Sequence, residues 1–147
     1  MRIRTALVAA TVLVAGAGAA APALAKPKTT TTSYTANAPT PDPTPVSGAT
    51  GGNCHPTLPT AMDNHEYKVP SGGLLTIDLT GFQGDWALGL FDSDGGEIAT
   101  DDQDATAPID TPAHIDAKFK KAETVTVRAC NFSGGPTANV KIKFTAK

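Results

Sequence analysis

The sequence is short of the residues and patterns that usually identify a chemistry. Its three histidines, His55, His65 and His114, and its cysteines show neither paired i, i+4 spacing nor a C-x-x-C pattern, so nothing reads as a zinc site. Ser71, Ser93 and Ser133 lie outside any G-x-S-x-G elbow, which leaves no recognisable nucleophile. Acidic residues outnumber basic ones, for a net charge of −2, and no clustered basic face appears, so nucleic acid and anionic membranes are not expected partners. Helical periodicity is also missing, because no window repeats apolar residues at i, i+3, i+4 and i+7. Trp86 is the sole tryptophan and opens an alternating apolar run, which points to core packing rather than to a sugar-stacking platform.

What is present begins with an export signal. Arg2 and Arg4 precede a short apolar run, Ala6 to Val14, and the small-residue stretch that follows ends Ala23-Leu24-Ala25. That three-part order predicts a signal peptide over residues 1–25, cleaved after Ala25. The apolar run is too short for a membrane anchor, and no later run approaches spanning length, so a secreted protein without membrane insertion is expected. Loss of Arg2 and Arg4 takes the net charge to −4.

Residues 26–52 are built from Thr, Pro, Ala and Gly, with Thr29 to Thr32 followed by Pro39, Pro41, Pro43 and Pro45. This composition predicts a disordered leader whose threonines are candidates for glycosylation. From residue 53 to 147 the texture changes to short apolar runs broken by turn residues. Strands are expected at His65 to Val69, Leu74 to Leu79, Trp86 to Leu90, Ile98 to Thr100, Ile115 to Phe119, around Val125 and Val127, and from Val140 to Phe144. Period-two alternation in these runs predicts an all-β antiparallel sandwich or barrel of about seven to eight strands. The alternating lysines near the end, Lys141 and Lys143, fit a solvated outer face.

Cys54 and Cys130 are the only cysteines, and an exported chain meets an oxidising compartment, so they are expected to pair. Such a bridge ties the start of the domain to its penultimate strand, and the loop it closes is worth roughly 4 kcal/mol on the chain-entropy estimate.

The order of features resembles the bacterial pre-peptidase C-terminal domain, as found in small secreted actinobacterial proteins. The shared elements are Val69-Pro70-Ser71-Gly72-Gly73, the Leu-rich strand after it, Gly84-Asp85-Trp86, Phe91-Asp92-Ser93-Asp94-Gly95, Val125-Thr126-Val127, and Gly134-Gly135 before the last strand. The chain departs from that pattern at Ala87, where an acidic residue is common, and at Gly89, where an aromatic is frequent. The resemblance implies a jelly-roll-like β-sandwich over residues 53–147, serving as an accessory module. Some members bind calcium.

The acidic run offers the one candidate metal site. Asp92, Asp94 and Glu97 surround Gly95-Gly96, and Asp101, Asp102 and Asp104 follow closely. Calcium takes six to eight oxygens, and Asp92, Asp94 and Asp101 are the expected ligands. The competing reading is a β-turn in which Asp92 and Asp94 bond locally and Gly95 supplies a positive φ. The functional expectation is therefore a monomeric, non-catalytic binding module, calcium-stabilised at these aspartates, for a cell-surface polymer or an extracellular protein. Two rival classes are a small hydrolase joining a histidine to Ser71 or Ser133, and a purely structural envelope protein.

Overall fold

The computed structural model describes residues 27–39, 54, 61–101 and 111–147. They form eight strands: β1 (Thr29–Asn37), β2 (Ala61–Val69), β3 (Gly73–Thr80), β4 (Gly84–Phe91), β5 (Glu97–Asp101), β6 (Ala113–Phe119), β7 (Glu123–Gly134) and β8 (Thr137–Ala146). Two four-stranded antiparallel sheets result, ordered β1-β8-β3-β6 and β2-β7-β4-β5. Eight strands shared between two sheets in this order make a jelly-roll sandwich. No described residue is helical. No helix among the described residues is long and apolar enough to cross a membrane.

The core follows from the alternation. Leu75, Ile77 and Leu79 of β3 point inwards beside Phe144, Ile142 and Val140 of β8 and beside Ala117, Ile115 and Ala113 of β6. The second sheet answers with Trp86, Leu88 and Leu90 from β4 and Val125, Val127 and Ala129 from β7. Trp86 is wholly buried, as its position at the head of an alternating run suggested. Its Phe82 neighbour stands 6.1 Å away, ring to ring.

The leader is corrected in part. Thr29–Asn37 is not an unstructured tether but the edge strand β1, paired with β8 along its whole length. The composition that suggested disorder hid a strand signal: threonine is β-branched and favours extended backbone, and Tyr34, Ala36 and Ala38 alternate. Ala36 and Ala38 are fully buried and Tyr34 packs on the core. Within the leader, Pro27 precedes the strand and the other prolines follow it, so none falls inside β1. The signal peptide and residues 40–52 lie outside the described residues.

Cys54 and Cys130 form the disulfide, with Cα atoms 5.7 Å apart. It fastens the segment before β2 onto β7, as expected for an oxidising extracellular compartment.

Candidate binding face

Outward residues of the β1-β8-β3-β6 sheet fall into rows across the strands. One row runs Thr31, Lys143, Thr76, Asp116, and the next runs Ser33, Lys141, Asp78, His114. Below them lies Thr29, Thr145, Leu74, Lys118, and above them Thr35, Asn139, Thr80. Each strand alternates, so its apolar half is buried and its polar half is left on one uncovered surface. This surface carries hydroxyls, amides and charges, one leucine and the imidazole ring of His114.

The charges on it are organised. His114 Nδ1 lies 2.7 Å from Asp78 Oδ1, and its Nε2 lies 3.5 Å from Asp116 Oδ2. Thr76 donates its hydroxyl to Asp116 Oδ1 at 2.7 Å. The hydrogen bond to Asp78 is the main reason that the His114 pKa is raised, with Asp116 adding to it and slight burial opposing. Asp116 is correspondingly held below the usual carboxylate range, first by Thr76 and then by His114 and Lys118. Beside Lys141 a shallow depression of about 380 Å³ is lined by Ser33, Tyr34, Thr35, Thr80, Asn139 and Val140.

The other sheet is covered on the outer side of β4. Ala87, Gly89 and Phe91 of β4 face outwards yet are buried, because Cys54 lies over them. Arg128 holds the cover in place: its guanidinium sits 4.2 Å from the Phe91 ring centroid. It donates to Asn64 Oδ1 at 2.7 Å and to the Cys54 carbonyl at 3.2 Å. Burial lowers its pKa.

The acidic run is a turn. Asp92 Oδ1 accepts from the amides of Asp94 at 2.9 Å and Gly96 at 2.7 Å, and Gly95 has φ 83°. Asp101 is elsewhere: it pairs with Leu88, four residues before Asp92, roughly 13 Å along the strand, and accepts from the His114 amide at 2.6 Å. Asp92, Asp94 and Asp101 are therefore not brought together, and the described residues hold no group of three metal-binding side chains. Asp102 and Asp104 lie outside the described residues. The fold also brings Lys118, Lys120 and Lys121 beside Asp92, around a pocket of about 450 Å³. Charges separated in sequence, acidic early and basic late, thus share one end of the sandwich, and three ammonium groups there outnumber the carboxylates of Asp92 and Glu123, which disfavours a cation.

The remaining candidates are dispersed. His65 stacks on Tyr34 at 4.0 Å between ring centroids, and His114 belongs to the outer face. His55 lies outside the described residues. Ser71 donates to the Gly72 carbonyl in the β2–β3 turn, whereas Ser133 accepts from the Asp85 amide at the far end of β7. The two serines occupy opposite ends of the sandwich, and neither bonds a described histidine.

Sequence reasoning did not assemble Asp78, His114, Asp116, Lys141 and Lys143 into one surface. Alternation shows that each faces solvent. Their adjacency depends on strand order, and β8 lies between β1 and β3, far from both in sequence.

No family model matches this chain, and neither does any curated protein. Among solved structures it is similar to the Yersinia pseudotuberculosis-derived mitogen, at 17% identity and a TM-score of 0.33 over 60% of this chain and 87% of that one. It is also similar to a chain in the structure of infectious bursal disease virus Gx strain, at 9% identity and a TM-score of 0.34 over 95% of this chain and 37% of that one. Both likenesses are too slight to bear on function.

Proposed function

We propose that the protein is a secreted, non-catalytic binding module that lays the outer face of its β1-β8-β3-β6 sheet against an extracellular polymer. One observation carries this reading: among the described residues that face is uncovered and polar across four strands, whereas in the second sheet the outer side of β4 is buried beneath Cys54 and Arg128. An extended ligand matches a broad face better than an enclosed pocket would. Export is supported by the signal-like residues 1–25 and by the disulfide. The resemblance to the pre-peptidase C-terminal domain agrees with an accessory role.

The test is a steric block. Ser33 is exposed on β1 next to Lys141, so Ser33→Trp places a large ring on the face. The native protein should co-sediment with cell-envelope fragments of the producing organism, and the variant should remain in the supernatant with an unchanged melting temperature. Equal retention of a folded variant would remove the face from the binding site.

A further inference from the structure

Lys141 and Lys143 are the most prominent charges on the face, and they are unpaired. Both project outwards from β8, two residues apart, which places them about 7 Å from each other. Among the described residues the ion pairs are those of His114, so neither ammonium lies within 4.0 Å of a carboxylate. The register sets Asp78 beside Lys141 and Thr76 beside Lys143, yet both lean the other way. Asp78 turns to His114, and Thr76 gives its hydroxyl to Asp116. On the opposite flank, β1 places Ser33 beside Lys141 and Thr31 beside Lys143, with neither hydroxyl engaged by a described side chain. Two cations and a row of hydroxyls thus form a lane along β8 and β1, and it runs into the depression lined by Asn139 and Thr35.

The side chains discriminate between polymer chemistries. A neutral sugar chain is commonly gripped by ring stacking, but the rings here are engaged elsewhere: His114 is held by Asp78, and Tyr34, at the depression, packs on the core and stacks on His65. Planar carboxylates favour the fork of an arginine, and Arg128 is committed to the other sheet. A phosphodiester carries one delocalised charge, which lysine meets as a point charge, and hydroxyl-bearing carbons between phosphates suit Thr31 and Ser33. Single-stranded nucleic acid shares the phosphodiester but needs stacking platforms for its bases.

Building on the binding-face reading, we propose that the lane formed by Lys141, Lys143, Thr31 and Ser33 binds an extended polyol-phosphate chain, one phosphate to each lysine.

The probe is poly(glycerol phosphate), titrated calorimetrically into the disulfide-bonded protein. Two phosphate contacts should weaken binding roughly sevenfold between about 50 and 200 mM salt. The double variant Lys141→Gln/Lys143→Gln should lose about tenfold in affinity, as expected for two exposed charge contacts, along with most of the salt dependence. Lys68→Gln, on the outer side of β2, should bind as the native protein does. Native-like affinity in the folded double variant would overturn the proposal, as would equal binding of polygalacturonate or an oligothymidylate. Absence of poly(glycerol phosphate) binding, with Ser33→Trp still abolishing envelope retention, would discard the polyol phosphate and keep the face. Loss of neither would discard both.

Discussion

The two outer faces of the sandwich are built on opposite terms. On the β1-β8-β3-β6 sheet, each strand of the pair β6 and β8 alternates buried and exposed residues almost without exception. On the other sheet, β4 is buried from Trp86 through Phe91, one residue after another. A strand that alternates has one wet side, and a strand that does not is covered twice. The cover is Cys54, bonded to β7 by the disulfide, with Arg128 holding its carbonyl and lying over Phe91. Among the described residues nothing covers the other face in this way, and its polar groups are spent on each other or left free.

The largest effect should come from unfastening the lid. Cys54→Ala/Cys130→Ala opens a loop with a sequence separation of 76 and should cost roughly 4 kcal/mol, read as a lower urea midpoint. A loss well under 1 kcal/mol would mean that Arg128 and packing hold the segment without the bridge. Next is Gly89→Ala. A Cβ there would stand 2.6 Å from Phe91 Cε2 and 3.2 Å from Cys54 Cβ, so the lid must lift. Overpacking of this kind costs about 1–3 kcal/mol. A neutral result would show a looser cover than the structure has.

The same intrusion on the bare face should be nearly free. Lys141→Gln/Lys143→Gln and Ser33→Trp alter only exposed positions and should each stay within about 0.5 kcal/mol of the native stability. Thermal melts of these two beside Gly89→Ala would measure the contrast directly. Destabilisation of the lysine variant by as much as the glycine variant would mean that the bare face is packed against something after all.

The sequence made this contrast half visible. Alternation in Ile115 to Phe119 and Val140 to Phe144 is a local signal, and it gave the strands, their buried faces and the sandwich class. The run Trp86-Ala87-Leu88-Gly89-Leu90-Phe91 read as plain alternation with one buried face, and its second burial was not legible because the cover is non-local: Cys54 precedes it by 32 residues or more. β1 was missed because threonine and nearby proline dominated the composition, while the alternation of Tyr34, Ala36 and Ala38 was short. The acidic run misled for a related reason. Spacing in sequence places Asp101 near Asp92, whereas antiparallel pairing carries it back along the hairpin to Leu88. Strand order decides which outward side chains become neighbours, and no window of the sequence contains it.

The smallest effect concerns the titrating histidine on the bare face. His114 faces Asp78 from β3, with Asp116 and Lys118 on its own strand and Lys141 and Lys143 beyond Asp78 on β8. The hydrogen bond to Asp78 raises its pKa above the usual value of about 6.5. A pKa higher in the folded state means that the contribution to stability is complete below about pH 6.5 and is lost as pH rises through the folded value. Asp116 has the opposite sign: its lowered pKa gives a contribution present above its unfolded value and lost as pH falls through the folded one. Both groups are about half exposed, so solvent screens the pair and stability is a poor readout. The His114 ring protons, followed by NMR, are a direct one. Their midpoint should lie above the usual value, drop on Asp78→Asn, and drop less on Asp116→Asn, whose contact is 3.5 Å rather than 2.7 Å. An unmoved midpoint in Asp78→Asn would mean that His114 does not keep this partner in solution. Asp78 would then be free to turn to Lys141, and the lane along β8 would lose one of its two unpaired cations.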